Sequence, residues 1–209
     1  MQVAHRTRGE ECRARLLAAA AHEFALHGYH DTKVSTIVAD AGVSQPTFYF
    51  YFPSKEAIFA ELVDAFRQRL RALSEDVPLQ AGHSLLFVIS QMQARMEATF
   101  QLFADDPNIT RISLFQAPGA EQIKQEMAER FRNRLRIMQE MGYIRSDVSI
   151  DVIADYMSGA MEKLTERYLF TGKSDPKSLA RQAAELIFNG IRTEQTQTAQ
   201  MNEGDTGVH

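Results

Sequence analysis

The sequence has little cysteine, no long uncharged apolar run and no strong excess of either charge. Cys12 is the only cysteine among 209 residues, which excludes an intramolecular disulfide framework and a multi-thiolate metal site. No uncharged apolar run reaches the length of a membrane span, so no transmembrane helix is expected. The N-terminal segment MQVAHRTRGEECRARLL is more charged than a secretory signal. Together these features indicate a cytoplasmic protein that does not act in a membrane.

Charge is spread almost evenly along the chain. The formal net charge is −4 at pH 7, and residues 1–55 carry six Lys/Arg against five Asp/Glu. A basic patch or stripe is the usual electrostatic signature of a nucleic-acid-binding protein, and the composition shows no such excess. If the protein binds DNA, a few placed contacts must account for it.

Helical periodicity dominates the apolar pattern. Apolar residues recur every three to four positions in about nine segments, which Gly, Pro, Asp and Ser signals separate. The sequence therefore predicts an all-α protein with about nine helices. It predicts a three-helix head, residues 1–54, and a larger helical body, residues 55–193. The polar residues 194–209 are expected to form a disordered tail.

The second and third predicted helices of the head are joined by Ala41-Gly42-Val43-Ser44. Glycine allows a tight turn, and Ser44 can cap a short helix with Pro46 in its first turn. Three short helices joined in this way fit a helix-turn-helix, whose second helix enters the DNA major groove. A generic helix pair has the same features, so spacing alone leaves both interpretations open.

Five consecutive aromatic residues, Phe48 to Phe52, follow this turn. Such a run is typical of a buried strand, but the helix signals on both sides favour a short helix. At helical spacing Phe48 and Phe52 face the core, and Tyr49 lies about 100° around the helix, toward DNA. We expect one of Phe50 and Tyr51 to pack on a neighbouring helix and the other to lie at the edge of the groove.

Residues 12–59 resemble the N-terminal domain of the TetR (tetracycline-repressor) family of transcriptional regulators. The resemblance rests on the stretch RLLAAAAHEFALHGYHDTKVSTIVADAGVSQPTFYFYFPSKEAIF, about a quarter of the chain. It implies an N-terminal helix-turn-helix that binds DNA and a C-terminal helical body that binds a ligand and forms dimers.

The resemblance also assigns DNA contacts to positions of this chain. Gln45 and Pro46 fall where the family reads bases, and they suit an adenine edge and a thymine methyl group. Lys55 matches a phosphate-binding lysine. Tyr51 stands where the family often has histidine, and Lys33 where it usually has threonine. The implied DNA-binding residues are Lys33, Ser35, Ser44, Gln45, Pro46, Thr47, Tyr49, Tyr51 and Lys55.

The sequence shows no catalytic or metal-binding motif. The stretch HEFALHGYH resembles a zinc helix, but His22 and His27 are five residues apart and diverge by about 140° around a helix. Exposed histidines near a helix end are the favoured interpretation. Since there is also no Gly-rich phosphate loop and no Ser/His/Asp signature, we expect no enzymatic activity, no catalytic residue, no cofactor and no metal.

The body is rich in methionine and phenylalanine. Unbranched methionine side chains suit a surface that accepts varied apolar shapes, although each residue can equally be ordinary core. The resemblance favours a pocket, because family members carry a mostly apolar ligand site with few polar anchors in this body. The expected effector-binding residues are Met92, Met96, Thr99, Phe100, Phe103, Arg111, Phe115, Phe131, Tyr156, Met157 and Met161.

The last two helices, within residues 150–192, have small and apolar residues on shared faces. These faces can be core, or they can pair with a second copy as a four-helix bundle, which the resemblance implies. A two-fold dimer places two recognition helices about one DNA turn apart, as a palindrome requires. The expected protein is a homodimeric repressor that binds a palindromic operator and is released by a small lipophilic effector.

Two alternative functions remain open. The protein can be a helical ligand-binding or scaffold protein that does not regulate through DNA, or an activator with the same fold. The presence of Gln45, Thr47, Tyr49 and Lys55 argues against a head that no longer meets DNA.

Overall fold

The computed structural model describes residues 8–73 and 82–192, which are helical almost throughout. The predicted tail, 194–209, lies outside the described residues. The all-α prediction with about nine helices is confirmed, and within the described residues the sole β-type pairing is one bridge between Ile144 and Arg192. The helices are α1 (Arg8–Asp31), α2 (Val34–Ala41), α3 (Gln45–Tyr51), α4 (Lys55–Ala72), α5 (Leu85–Asp105), α6 (Pro107–Arg111), α7 (Ala120–Glu140), α8 (Ile150–Leu164) and α9 (Pro176–Ile191).

Two helices continue as short π-helical segments. Ile112–Gln116 follows α6 directly, and Thr165–Leu169 follows α8 directly. A π-helical turn bonds residue i to residue i+5, and a segment of five residues is too short for apolar spacing to distinguish it from an α-helical turn. None of the helices within the described residues is long and apolar enough to cross a membrane.

The chain divides into two compact units. Among the described residues, the head unit comprises 8–70 and Asp106–Ile123, and the body unit comprises 71–73, 82–105 and 124–192. The head unit is therefore larger than residues 1–54, because most of α4 and the segment around α6 belong to it.

The head unit has one apolar core between α1, α2, α3 and α4. Alanines on α1 let neighbouring helices approach closely, and Phe24 and Phe48 are fully buried between them. Burial of each phenylalanine stabilises the unit by about 1.5–3 kcal/mol. Ile112 and Ala117 join the same core, which explains why the segment around α6 belongs to this unit.

The body unit is built around α5, which packs along α9. Large side chains fill its interior. Phe100 and Phe103 are fully buried, and the flexible side chains of Met96 and Met161 are nearly so. Its surface on α8 and α9 carries exposed apolar residues, namely Val152, Tyr156 and Leu186.

Candidate nucleic-acid interface

The turn between α2 and α3 is formed by backbone geometry that only a few residue types accept. Gly42 has φ 64° and ψ 40°, the left-handed conformation that ends many helices. The N–H of Val43 donates to the carbonyl oxygen of Val38 at 3.0 Å, and the Val43 side chain packs on the head core. The turn therefore sets the direction in which α3 leaves α2.

Ser44 caps α3, as the sequence predicts. Its Oγ accepts a hydrogen bond from the Thr47 N–H at 3.4 Å, and the two hydroxyl oxygens lie 2.8 Å apart. Pro46 occupies the first turn, where its missing N–H costs little. The cap lies at the N-terminal end of α3, the end from which a recognition helix reaches base edges.

The aromatic run separates into a buried side and an exposed side. Phe48 is 0% exposed and Phe52 is 2% exposed, so both face the core as expected. On the other side Tyr49 is 54% exposed and Phe50 is 81% exposed. Two exposed aromatic rings on one short helix make this face a candidate for contact with a partner.

Tyr51 turns toward α1. It packs against the head core, and burial together with the nearby Cys12 thiol raises its pKa above the usual value. The two possibilities that the sequence left open are thereby resolved, since Tyr51 packs on a neighbouring helix and Phe50 is the exposed member. The Tyr51 hydroxyl faces Cys12, so the predicted DNA contact by Tyr51 requires this hydroxyl to turn away from the thiol.

Phe50 is the residue that sequence reasoning did not assign to the interface. Helical spacing placed both Phe50 and Tyr51 between the two faces of α3, so spacing could not separate them. The deciding signal is tertiary, because α1 covers Tyr51 and leaves Phe50 open. We add Phe50 to the candidate interface.

Lys33 and Ser35 lie at the beginning of α2, and both are exposed. Lys33 occupies the N-cap position with extended backbone, φ −107° and ψ 149°, and its side chain makes no capping hydrogen bond. Its carbonyl oxygen accepts bonds from the N–H and the hydroxyl of Thr36. The backbone of Lys33, and not its ammonium group, therefore forms the hydrogen bonds at the beginning of α2.

Lys55 lies at the beginning of α4, but its ammonium group points into the protein. Nζ donates to the carbonyl oxygens of Tyr29 and Thr32, each at 2.8 Å, and to that of His30 at 3.4 Å. Unlike Lys33, this lysine has its hydrogen bonds satisfied within the head unit.

The histidines of α1 are exposed, as predicted. His22 Nδ1 lies 3.2 Å from Asp40 Oδ2, and His27 Nε2 lies 4.0 Å from Glu23 Oε2. The ligand atoms of His22, Glu23 and Asp40 lie within 4.8 Å of one another. Exposed acidic and imidazole groups commonly sit this close as ordinary ion pairs, so we assign no metal to them.

The predicted effector-binding residues fall into three groups. Six are buried in the body unit, namely Met92, Met96, Phe100, Phe103, Met157 and Met161. Thr99 and Phe131 are half-buried there, and the Thr99 hydroxyl donates to the carbonyl oxygen of Arg95 on its own helix. Arg111 and Phe115 belong to the head unit, and Tyr156 is 64% exposed.

Comparison with known proteins agrees with this geometry. A sequence profile described as "Bacterial regulatory proteins, tetR family" matches residues 16–62. This range begins within α1, contains α2, the turn and α3, and ends within α4. The chain is 41% identical over 186 residues to an uncharacterized HTH-type transcriptional regulator, YdgC, of Bacillus subtilis, covering 89% of this chain and 95% of that protein.

The chain belongs to the TetR family.

More distant relatives are also similar over most of this TetR-family chain. It is 25% identical over 188 residues to the fatty acid metabolism regulator protein of Bacillus subtilis, covering 84% of this chain and 93% of that protein. A TetR-like transcriptional regulator from Rhodococcus sp. RHA1 has the same fold, with a TM-score of 0.68 at 21% identity over 89% of this chain and 98% of that one. The protein is therefore a TetR-family transcriptional regulator, and α2, the turn and α3 are its DNA-binding helix-turn-helix.

Proposed function

We propose that this TetR-family regulator is a homodimeric repressor that binds a palindromic operator and leaves it when a small lipophilic effector binds. One observation supports the DNA-reading role most directly. The helix α3, capped at its N-terminal end, exposes Gln45, Pro46, Tyr49 and Phe50 along its length, while Phe48 anchors the helix in the head core.

Each exposed side chain suits a different part of a DNA groove. Gln45 can form two hydrogen bonds with an adenine edge, and Pro46 and Phe50 can contact thymine methyl groups. The hydroxyls of Ser44, Thr47 and Tyr49 and the ammonium of Lys33 suit phosphate oxygens, and Ser35 lies two residues from Lys33. Because the chain carries no large basic excess, this small set of placed contacts must supply most of the affinity.

Exposed apolar residues on α8 and α9 support the dimer. Val152 is 63% exposed, Tyr156 64% and Leu186 75%. Large apolar side chains that are this exposed on neighbouring segments of one unit suit an isologous interface with a second copy. The more deeply buried residues of the same helices, such as Met157 and Ile187, hold the protomer together. We therefore place Tyr156 in the interface between copies and not in the effector site.

The buried methionines and phenylalanines of the body unit support an apolar effector. Met92 and Met96 are one helical turn apart on α5, and Met157 and Met161 are one turn apart on α8. A flexible thioether side chain can move to admit a ligand at lower cost than a branched one. The name of the relative that regulates fatty acid metabolism is in line with an effector of long-chain aliphatic character.

Release from DNA follows from differential binding. An effector that binds the conformation with the wrong spacing between the two heads shifts the population toward that conformation. A coupling free energy of about 1–3 kcal/mol, typical for allosteric pairs, lowers operator affinity by about 5- to 150-fold.

A mobility-shift assay with the promoter region of its own gene tests the DNA assignment. We expect Gln45→Ala to weaken binding by about tenfold or more, because loss of a bidentate base contact costs about 1–3 kcal/mol. Gln68→Ala, a change of the same residue type at an exposed position of α4, serves as the matched control. Equal binding by Gln45→Ala and the wild type would contradict the assignment, and no binding by the wild type at low salt would favour a protein that does not act through DNA.

Two further measurements separate repression from activation and test the effector. Transcription from the bound promoter in vitro is expected to fall when the protein is added, whereas a rise would identify an activator. Operator affinity is then measured against a series of fatty acids and other apolar compounds. A bound compound that leaves operator affinity unchanged argues against the release mechanism.

A further inference from the structure

Lys55 stands at a junction of three helices in the head unit. Its Nζ donates to the carbonyl oxygens of Tyr29 and His30, which follow a break in α1 at Gly28 (φ 79°, ψ 164°), and of Thr32, in the turn before α2. The same ammonium lies 4.5 Å from the centroid of the Tyr29 ring. One cation from α4 is therefore bound to the end of α1 and to the turn that leads into α2.

These contacts use the full hydrogen-bonding capacity of the side chain. A lysine ammonium has three N–H donors, and the three carbonyl oxygens account for all of them. To bind a phosphate, Lys55 would have to leave at least one of these carbonyls unsatisfied.

The surrounding side chains hold the junction in place. The Tyr29 hydroxyl donates to Glu56 Oε1 at 2.6 Å, so α4 contacts the end of α1 through two successive residues. The Tyr29 ring packs against Phe59 with centroids 4.6 Å apart and against Phe24 at 5.8 Å. Thr32, 2% exposed, closes the turn by donating from its hydroxyl to the Gly28 carbonyl oxygen at 2.7 Å.

We propose that Lys55 is a positioning residue, which fixes the beginning of α2 against α4 and does not itself bind a DNA phosphate. Thr32 directly precedes Lys33, so the bond from Lys55 fixes the backbone from which Lys33 and Ser35 extend. This inference rests on the proposed DNA binding and replaces the phosphate contact that the family resemblance implies for Lys55.

Salt dependence separates the two roles. Each neutralised phosphate contributes about 0.9 to the slope of log affinity against log salt concentration. A substitution removes the lysine from both protomers of the proposed homodimer, so loss of a phosphate-binding lysine lowers the slope by about two. A positioning lysine leaves the slope nearly unchanged but weakens binding at every salt concentration. The measurement is operator affinity of the full-length protein between 50 and 200 mM salt, a range of about fourfold.

Lys55→Met keeps the length of the side chain and removes its charge. We expect operator affinity to fall about tenfold at all salt concentrations with the slope retained, and the melting temperature to fall by about 3–10 °C, since charge-assisted hydrogen bonds are lost. Lys33→Met is the matched control, because Lys33 is exposed and its side chain makes no capping hydrogen bond to α2. That variant is expected to lower the slope by about two, one for each protomer, and to leave the melting temperature unchanged.

Lys55→Arg provides a second, independent variant that keeps the charge. A phosphate contact tolerates arginine, whereas the planar guanidinium does not fit three carbonyl oxygens arranged around one ammonium. Weaker operator binding and a lower melting temperature for Lys55→Arg support positioning. A slope lowered by about two with an unchanged melting temperature for Lys55→Met, or full operator affinity for Lys55→Arg, overturns it.

The failure of this inference can be told apart from failure of DNA binding. If the wild type binds no operator, the proposed function fails, yet the melting temperatures still test the junction. An unchanged melting temperature for Lys55→Met then overturns the positioning role, and a lowered one supports it.

Discussion

The interiors of the head and body units differ in the flexibility of their apolar side chains. The core of the head unit, within the described residues, consists of alanine, leucine, isoleucine, valine and phenylalanine, which have few low-energy rotamers. The body interior adds several methionines, including Met92, Met96, Met157 and Met161. Stiff side chains suit a unit that must hold α3 in one orientation, and flexible ones suit a unit that must admit a ligand.

The exposed apolar residues of the two units differ as well. In the head unit they include Tyr49 and Phe50 on α3, beside polar side chains. In the body unit they include Val152, Tyr156 and Leu186 on α8 and α9. A polar setting around aromatic rings suits DNA, whereas apolar side chains on two helices suit a second protein surface.

The largest expected effect separates two neighbouring phenylalanines of α3. Phe48→Ala removes a fully buried ring and is expected to destabilise the head unit by about 3–5 kcal/mol. Phe50→Ala removes a ring that is 81% exposed and is expected to change the free energy of unfolding by no more than about 0.5 kcal/mol. Denaturant unfolding of both variants measures this difference.

Operator binding gives the converse test for Phe50. Because its ring is proposed to contact DNA, Phe50→Ala is expected to reduce operator affinity although the protein remains fully folded. Full affinity together with wild-type stability would remove Phe50 from the interface.

A second prediction concerns the apolar surface of the body unit. Leu186→Glu places a charge at a residue that is 75% exposed on α9, where a dimer interface would bury it at a cost of several kcal/mol. We expect a monomer by light scattering after size exclusion, with helix content retained. Leu86→Glu, on α5 and 55% exposed, is the matched control and is expected to remain dimeric. A dimeric Leu186→Glu variant would move the interface elsewhere.

The smallest expected effect is the pH dependence of the junction at the start of α4. The hydrogen bond from Tyr29 is the largest cause that lowers the pKa of Glu56 to about 2, and the same bond raises the pKa of Tyr29 to about 12. The folded pKa of Glu56 lies below its unfolded value of 4.5, so this carboxylate contributes stability above that value. The contribution is lost as pH falls from there toward about 2.

Glu56→Gln tests that window. The melting temperature of the wild type is expected to fall more steeply than that of the variant between pH 5 and pH 3, where the Glu56 carboxylate of the unfolded chain takes up a proton while that of the folded protein stays largely ionised. The effect is small because Glu56 is exposed to solvent. Glu140→Gln, an exposed change on α7, is the control, and the same pH profile for Glu56→Gln as for the wild type would show that the bond contributes no measurable stability.

Much of the local structure was predictable because its causes are local. The turn at Gly42, the cap at Ser44 and the burial of Phe48 follow from backbone conformation, hydrogen-bonding capacity and helical spacing, and the structure has all three. The positions of Tyr51 and Phe50 did not follow, because both lie between the two faces of a helix of seven residues.

Long-range contacts account for the remaining differences. The predicted head ended at residue 54, whereas the segment around α6, far along the chain, packs into the head core through Ile112 and Ala117. Gln116 adds a hydrogen bond from Nε2 to the carbonyl oxygen of Ala25 at 3.2 Å. No pattern within either segment reveals such a pairing.

The sequence by itself determined that this protein is all-α, that its head carries a helix-turn-helix of the TetR type, and which residues begin the recognition helix, because turn, cap and helical period act over a few residues. Only the tertiary structure decided that Tyr51 packs inward and Phe50 outward, that Tyr156 lies at the surface, and that the ammonium of Lys55 is bound to carbonyl oxygens. The physical reason is the same in each case: which neighbour satisfies a side chain depends on elements that meet only when the chain has folded.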